Sequence, residues 1–424
     1  MKKKLLMAMG VMGALVLAAI IIAWPRPQMI ASSSSAAHAA TAANIARGAY
    51  LAKAGDCMAC HTVRGGVPYA GGRAIETPFG RLLAPNITPD RETGIGAWTP
   101  DDFWNALHNG TSRDGRLLYP AFPYTSYTKV TRDDSDALYA YMQSIAAYKA
   151  ANLPHALRFP YNLQVMLAGW RLLYFKPDVY AGNAGQSVQW NRGAYLVEGL
   201  GHCAACHSSR NWLGASKAGL SGGMIQTLGW YAPSLTSSDE AGLGLWEIPH
   251  IVDLLKTGVS ARATVFGPMA EVVQKSLQHL STDDVTAMAV YLKALPSAPA
   301  PPVAMPTGPA VDKVLRQGKE LYEANCIDCH GADGKGLPPH YPPLAGNRAL
   351  TMAEAVNPIR IVLNGGFAPA TQGNPRPYGM PPYSHAMSDQ EVASVVSYLR
   401  ASWGNRAPPV TAGEVNRYRE VPLD

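Results

Sequence analysis

Cys57-Met58-Ala59-Cys60-His61 is the first of three stretches that share the pattern Cys-x-x-Cys-His. The other two are Cys203-Ala204-Ala205-Cys206-His207 and Cys326-Ile327-Asp328-Cys329-His330, and together the three use all six cysteines of the chain. Six cysteines in an exported protein are usually paired as disulfides. Disulfide pairing does not explain why a histidine follows each pair, so the pattern points to a different chemistry.

The spacing is typical of covalent c-type haem attachment. Two thiols one helical turn apart can reach the two vinyl groups at one edge of a porphyrin, and the adjacent histidine then ligates the iron. A zinc ribbon would pair two Cys-x-x-Cys units without requiring each histidine, and a thioredoxin-like dithiol needs only one pair in a βαβ setting. The sequence therefore predicts three covalent haems c. Their attachment residues are Cys57, Cys60, Cys203, Cys206, Cys326 and Cys329, and their histidine ligands are His61, His207 and His330.

Similar segments surround each motif, which indicates an internal repeat. A short helical pattern precedes each one, and an amphipathic helix with a polar, acidic start closes each segment, the first running from Thr131 to Tyr141. We predict an all-α fold of three tandem class I cytochrome c domains with long loops, in which the first and last helices of each domain pack together. The predicted boundaries are 1–43 (signal or anchor helix), 44–160, 161–184 (an apolar, packed connector), 185–296, 297–309 (a Pro/Ala linker), 310–404 and 405–424 (a polar tail).

The N-terminus predicts export from the cytoplasm. Lys2, Lys3 and Lys4 precede an uncharged apolar run at residues 5–24, which is long enough to span a bilayer. Ala37-His38-Ala39 is a potential cleavage site, so a retained anchor and a cleaved signal both remain open. In either case the positive flank places the body at the periplasmic face of the cell membrane.

Bulk composition excludes two other classes of protein. With 47% hydrophobic and 16% charged residues, the chain is globular rather than disordered. The net charge is only +6, and the body contains no basic run of the kind that binds nucleic acid.

The sixth iron ligand differs between the segments. Met380 lies 18 residues before Tyr398 of the last helix, and Met269 lies 22 residues before the corresponding Tyr291. Both are predicted to be distal iron ligands, which raise a haem potential. In the first segment Phe122 lies 19 residues before Tyr141, where the ligand is expected, and phenylalanine cannot bind iron.

The haem at Cys57 and Cys60 is therefore expected either to be five-coordinate or to have a ligand that the pattern does not identify. Met142 aligns with Leu292 and Leu399 and is interpreted as a core residue, and His108 is expected to be exposed. On the proximal side, a proline carbonyl should accept a hydrogen bond from each ligand histidine, and the candidates are Pro85, Pro233 and Pro343.

Several segments together resemble the three-haem cytochrome c subunits of bacterial membrane-bound dehydrogenases for alcohols, gluconate, fructose, sorbitol and aldehydes. The resemblance extends over nearly the whole mature chain. The segments that carry it are Leu83-Ala84-Pro85-Asn86-Ile87-Thr88-Pro89-Asp90, Thr93-Gly94-Ile95-Gly96, Arg192-Gly193-Ala194-Tyr195-Leu196-Val197, Gly267-Pro268-Met269-Ala270-Glu271-Val272-Val273 and Tyr291-Leu292-Lys293.

The resemblance implies a separate catalytic subunit that carries PQQ, flavin or a molybdenum cofactor and oxidises substrate at the periplasmic face. Electrons would pass through the three haems to membrane ubiquinone or another respiratory acceptor. Many relatives have methionine in the Pro-Ala-x-Pro-Tyr loop of the first segment, and Phe122 departs from that pattern.

Two alternative functions are compatible with parts of the same pattern. A cytochrome of a terminal oxidase branch would share all the motifs, and the neighbouring genes would separate the two. A haem peroxidase is suggested by Phe122, but that chemistry needs a distal acid or base, and the loop has none.

Overall fold

Helices connected by long loops make up most of the structure. The computed structural model describes residues 40–217, 219–236, 242–297 and 304–421, and the chain divides into two compact units between Ala181 and Gly182. The predicted signal or anchor of residues 5–24 lies outside the described residues. Within those residues, no helix is both long enough and apolar enough to cross a membrane.

The first unit contains the first motif. Its helices are α1 (Ala42–Ala54), α2 (Cys57–Cys60), α3 (Pro100–Asn109), α4 (Tyr124–Tyr127), α5 (Arg132–Ser144) and α6 (Gln164–Tyr174). Its strands are β1 (Ala74–Thr77), β2 (Gly80–Leu83) and β3 (Ala156–Leu157), which form one antiparallel sheet in the order β1-β2-β3.

The second unit contains the second and third motifs. Its first part has α7 (Val188–Tyr195), a π-helical turn (Leu196–Leu200), α8 (Ala204–His207), β4 (Gly223–Ile225), β5 (Trp230–Ala232), α9 (Ile248–Thr257), α10 (Pro268–Lys275) and α11 (Thr282–Lys293), with short 3-10 turns at Leu243–Leu245 and Leu277–His279. Its second part has α12 (Pro309–Asn325), α13 (Ile327–His330), α14 (Arg348–Thr351), α15 (Val356–Asn364), β6 (Gly366–Phe367), β7 (Gly379–Met380), α16 (Asp389–Ala401) and α17 (Ala412–Arg419).

The prediction of an all-α fold is correct for the mostly helical character but wrong about the strands. Antiparallel pairs form in the loops, with Ala74 opposite Leu83 in the first unit and Gly223 opposite Ala232 in the second. Each strand has only two to four residues. Such short strands contain no alternation of apolar and polar residues long enough to reveal them in the sequence.

The first and last helices of each segment cross closely, as predicted. The pairs are α1 with α5, α7 with α11 and α12 with α16. A glycine lies at each crossing, and a Cβ built on Gly48, Gly193 or Gly318 would lie 1.9, 1.9 or 2.1 Å from a carbonyl oxygen of the partner helix. Only glycine permits this approach of two backbones, so the three glycines set the distance between the paired helices.

Polar contacts next to two of these crossings fix how the helices are aligned. Arg47 Nε donates to Asp134 Oδ1 over 2.7 Å, and Arg192 Nε donates to Asp284 Oδ1 over 2.7 Å. Each of these aspartates is also the third residue of its helix, and its amide donates to the threonine or serine that caps the helix N-terminus.

The connector at residues 161–184 packs on the first unit by one face only. Leu167 and Ala168 of α6 are buried against Leu117. Leu172 and Leu173 on the opposite face are 58% and 68% exposed. The connector is therefore part of the first unit, which extends to Ala181.

Residues 405–424, which the sequence suggested to be a polar tail, contain α17. This helix packs against α16 and α15, and Val415 is fully buried there. Arg419 Nε donates to Asp389 Oδ1 over 2.6 Å at the start of α16. The last segment thus contributes to the core that surrounds the third motif.

Candidate haem attachment sites

Each Cys-x-x-Cys-His motif forms a single helical turn, so that both thiols of a pair project from one side. None of the six cysteines forms a disulfide bond. Desolvation by burial raises the pKa of Cys57 and of Cys203 to about 12. No group of three or more His, Cys, Asp or Glu residues that could hold a metal ion occurs within the described ranges. Two cysteines on one turn followed by a histidine suit thioether attachment of a porphyrin.

The three histidines are oriented by proline carbonyls. The Nδ1 atoms of His61 and His207 lie 2.8 Å from the carbonyl oxygens of Pro85 and Pro233, which confirms those two predictions. With Nδ1 donating its proton to a carbonyl, the lone pair of Nε2 is directed away from the turn and is available to iron.

The carbonyl predicted to orient the third histidine, that of Pro343, is wrong. His330 Nδ1 lies 3.1 Å from the carbonyl oxygen of Pro342, not from that of Pro343. The Pro343 carbonyl instead accepts from the side chain of Asn347 over 2.8 Å. Two adjacent prolines offered equivalent acceptors in the sequence, and only the turn geometry distinguishes them.

Burial keeps the histidines neutral. Desolvation lowers the pKa of His61, of His207 and of His330 below the usual value for histidine. Neutral imidazole is the form that ligates iron. Both the hydrogen bonds and the burial therefore suit these side chains to the proximal role.

Two arginines that the sequence did not reveal support the attachment turns. Arg73 Nη1 donates to the carbonyl of Ala59 over 2.5 Å, and Arg210 Nη2 donates to that of Ala205 over 2.7 Å. Both acceptors lie between the two cysteines of a motif. Arg73 and Arg210 follow their motifs at different spacings, so no common pattern identified them beforehand.

In the third segment, Met380 lies beside the motif it was predicted to serve. Met380 pairs with Gly366 in the β6-β7 ladder, just after the end of α15. It packs against the same buried cluster as Cys326. Tyr383 Oη, three residues further on, donates to the carbonyl of Asn325 over 2.8 Å and ties this loop to the residue before Cys326.

In the second segment, the loop before Met269 is fixed by backbone contacts. Val265 N donates to the carbonyl of Gly258, which ends α9 in the left-handed conformation with φ of 81°. Met269 follows four residues later, as the second residue of α10. Gly267 has a φ of 58° and lies against the ring of Trp230, where a Cβ would meet the ring at 2.7 Å.

In the first segment, the same backbone register carries Phe122. Leu118 N donates over 2.8 Å to the carbonyl of Gly110, which ends α3 with φ of 58°. Phe122 follows Leu118 by four residues, and its ring contacts Tyr127 at a centroid distance of 5.3 Å. The phenylalanine therefore occupies the position that methionine occupies in the second segment.

The second and third segments contact each other close to both of their motifs. Tyr231 N donates to Asn357 Oδ1 over 3.0 Å, and Asn357 Nδ2 donates back to the Tyr231 carbonyl over 2.8 Å. Tyr231 lies two residues before Pro233, the acceptor for His207. The ring of Phe266, three residues before Met269, lies 3.2 Å from a Cβ built on Gly366. The interface thus joins the surroundings of the two centres.

The residues present fit three c-type haems. Each motif offers two cysteines on one turn, with no disulfide between them, and a neutral histidine whose Nδ1 lies beside a proline carbonyl. Bound there, each haem would supply a one-electron iron couple.

Comparison with known proteins agrees with this chemistry. A sequence model of the cytochrome c family matches residues 45–146 and 315–403, which contain the first and third motifs. The cytochrome c subunit of gluconate 2-dehydrogenase from Pantoea cypripedii is 40% identical over 395 residues, which cover 89% of each chain.

Two further relatives are similar over comparable lengths. The cytochrome c subunit of the quinone alcohol dehydrogenase from Gluconobacter oxydans is 38% identical, over 92% of this chain and 86% of its own. The cytochrome subunit of fructose dehydrogenase from Gluconobacter japonicus is 35% identical, over 90% of this chain and 84% of its own.

Proposed function

The chain belongs to the family of dehydrogenase cytochrome c subunits, and on that basis we propose that it carries three covalent haems c. It receives electrons from a dehydrogenase catalytic subunit at the periplasmic side. That partner carries PQQ, flavin or a molybdenum cofactor. The electrons leave to ubiquinone or another respiratory acceptor at the cell membrane.

The observation that carries the proposal is the repeated proximal geometry. Three pairs of cysteines, none of them in a disulfide, each precede a histidine whose Nδ1 lies within 3.1 Å of a proline carbonyl. The second motif lies outside the matched regions of the family model, yet its distance of 2.8 Å equals that of the first. This supports attachment of haem at the second motif as well.

The interface between the second and third segments supports direct electron exchange between those two centres. Asn357 holds the strand that leads to Pro233, and Phe266 packs on the ladder partner of Met380. Contacts on both sides of the second centre keep the two sites at a fixed separation. A fixed separation suits electron transfer between two one-electron centres.

Export to the periplasmic face is part of the proposal. Its support is the lysine-flanked apolar run at residues 5–24. On the oxidising side of the membrane, two neighbouring thiols usually form a disulfide. Attachment to a porphyrin would use both thiols of each pair and so prevent this.

The dehydrogenase role is preferred over the terminal oxidase branch because the relatives above are dehydrogenase subunits by name. The similarity to each of them extends over most of its length. The neighbouring genes test this choice. A quinoprotein, flavoprotein or molybdoprotein gene next to this one supports the dehydrogenase role, whereas oxidase core subunits would contradict it.

The haem count is tested on the full-length protein purified from membranes. Mass spectrometry of the intact chain should show three covalent haem adducts, and haem-to-protein ratios should fall from three to two in the double variant Cys203→Ser/Cys206→Ser. The matching variants Cys57→Ser/Cys60→Ser and Cys326→Ser/Cys329→Ser serve as controls and should each lose one haem. An unchanged ratio after removal of Cys203 and Cys206 would show that the second motif binds no haem.

The electron-transfer role is tested on the intact complex. The copurifying catalytic subunit is identified, its substrate is added, and reduction of the cytochrome is followed by its visible absorption bands, with and without a soluble ubiquinone analogue. We expect substrate to reduce all three haems and the quinone to reoxidise them. A chain that copurifies with no oxidoreductase and is reduced by none would contradict the proposal.

A further inference from the structure

Phe122 stands at the position where an iron ligand is expected, and the backbone register establishes this independently of residue counting. In both segments the amide of the residue four places earlier, Leu118 or Val265, donates to the glycine that ends the middle helix. From that shared hydrogen bond, the same number of residues leads to Phe122 in one segment and to Met269 in the other. A thioether is thus replaced by a phenyl ring without a change of register.

The loop that carries Phe122 is held in place by the connector. Leu117 N donates to Gln164 Oε1 over 2.8 Å, and Gln164 Nε2 donates to the Leu117 carbonyl over 3.3 Å. Tyr119 Oη donates to the carbonyl of Tyr161 over 3.0 Å. These contacts hold the part of the loop that precedes Phe122 and oppose a rearrangement that would bring another ligand to the same place.

The other methionines of the first unit, within the described residues, have different positions. Met58 lies inside the attachment turn, and Met166 is 45% exposed on α6. Met142 is 1% exposed on α5 and corresponds to Leu292 and Leu399, which are 3% and 6% exposed on the last helices of the other segments. An apolar core position explains Met142 without iron.

Among the described residues of the first unit, the histidines other than His61 are His108 and His155, and both have structural contacts. His108, predicted to be exposed, is instead half-buried and stacks on Trp104, with Nδ1 2.8 Å from the carbonyl of Thr128. The equivalent Lys256 donates to the carbonyl of Leu280 over 2.6 Å. In both segments this side chain ties the middle helix to the start of the last helix.

His155 has a comparable structural role. Its Nδ1 accepts from the amide of Leu83 over 3.2 Å and lies at the β2-β3 edge. Its ring also meets that of Tyr119 at a centroid distance of 5.6 Å. The histidine therefore supports the sheet and the base of the loop.

We propose that the distal side of the centre at Cys57 and Cys60 carries no protein ligand and binds a small neutral diatomic molecule such as carbon monoxide or nitric oxide. This inference rests on the proposed attachment of haem at that motif. Phe122 has no polar atom, and the hydroxyl of its neighbour Tyr127 already donates to the carbonyl of Gly55 over 3.0 Å. Phe122 supplies no acid or base at this position, which favours neutral diatomic ligands over peroxide, whose cleavage needs a distal acid or base.

The test begins with the haem count and then measures ligand uptake. The full-length protein, shown by mass spectrometry to hold three haems, is reduced with dithionite and titrated with carbon monoxide. The Soret difference spectrum should show uptake of one equivalent per chain. Paramagnetic resonance of the oxidised protein should show one high-spin haem and two low-spin haems.

Substitutions locate the site. Phe122→Met should abolish carbon monoxide uptake and add a sulfur-to-iron charge-transfer band in the far red. Phe122→Leu is the matched control, because it changes the same side chain without offering a ligand and should retain uptake. Met142→Leu should also leave uptake unchanged, since it removes the only buried methionine of the first unit among the described residues.

The outcomes separate this inference from the proposed function. Fewer than three haems would contradict the proposed function itself. Three haems without carbon monoxide uptake, or uptake that persists in Phe122→Met, would overturn the inference and leave the electron-transfer role standing. Carbon monoxide uptake that first appears in Met142→Leu would identify Met142 as the ligand and would likewise overturn it.

Discussion

The guanidinium of Arg360 lies 4.8 Å from the centre of the Trp230 ring, although the proline-rich linker separates the two residues in sequence. Arg360 is fully buried on α15, and Trp230 also lies against Gly267, two residues before Met269. A buried cation on an aromatic face is stabilising, and here it joins the segment around Met269 to a helix of the third segment.

Replacing Arg360 with methionine should weaken this interface. We expect Arg360→Met to lower the free energy of unfolding by about 2 kcal/mol, the magnitude of a desolvated cation–π contact, as measured by denaturant titration. Electron exchange between the second and third haems should also slow. Arg316→Met, the same change at an exposed position of α12, is the control and should leave both quantities unchanged.

The crossing glycines give a second prediction. Gly48→Ala should lower the free energy of unfolding by about 1–3 kcal/mol, the usual cost of overpacking, because the new methyl group would overlap the Ala137 carbonyl at 1.9 Å. Gly193→Ala should behave in the same way.

Gly169→Ala is the matched control for these variants. Gly169 also lies within a helix, but nothing lies within 4 Å of its built Cβ. The gain in helix propensity should therefore stabilise the protein by up to ~1 kcal/mol. Similar destabilisation by Gly48→Ala and Gly169→Ala would show that the close crossing has no energetic role.

Removing a predicted distal methionine should change one haem only. Met380→Ala should abolish one sulfur-to-iron charge-transfer band and lower one of the three reduction potentials, within the range of about 0.8 V that axial ligands span. Met269→Ala should do the same for a different haem. Met352→Ala is the comparison, since Met352 is fully buried in the third segment and its loss should reduce stability without affecting the band.

The contact of α17 with α16 should depend on pH. Hydrogen bonds from Asn416 and then from Arg419 lower the pKa of Asp389 below its usual value. Since the folded-state pKa is lower than the unfolded one, the stabilisation is present above the unfolded pKa of about 3.9 and is lost as the pH falls through the folded-state value.

Asp389→Asn should therefore reduce stability at neutral pH by roughly 0.2–1 kcal/mol, as for a largely solvent-screened ion pair. The difference from the unmodified protein should shrink as the pH falls below about 4. Thermal unfolding at a series of pH values measures this. Glu320→Gln, at an exposed carboxylate, is the control, and a pH-independent effect of Asp389→Asn would contradict the assignment.

The sequence predicts well what is encoded locally. The attachment turns, the capped last helices and the proline acceptors of His61 and His207 each depend on a few neighbouring residues or on a repeated spacing. The helix pairing was also predicted from the repeat, and Gly48, Gly193 and Gly318 each lie in the short helical pattern that precedes a motif.

Long-range contacts left no comparable signal. The hydrogen bonds between Tyr231 and Asn357 join residues 126 positions apart, and neither residue belongs to a motif. Arg73 and Arg210 support equivalent turns, but they follow their motifs at different spacings. A comparison of the repeated segments therefore does not align them. Helix α17 is too short and too polar for its single buried residue, Val415, to indicate packing beforehand.

The connector has a consequence for any attempt to isolate the first centre. Gln164 and Tyr161 lie beyond residue 160, the end suggested by the repeat, yet they hold the loop on which Phe122 stands. A fragment truncated at residue 160 would leave Leu117 without its buried neighbours on α6 and should be sensitive to proteolysis. A fragment that continues to Ala181 keeps Tyr161 and Gln164, which hydrogen-bond to the loop. It is therefore the fragment to express for spectroscopy of a single haem.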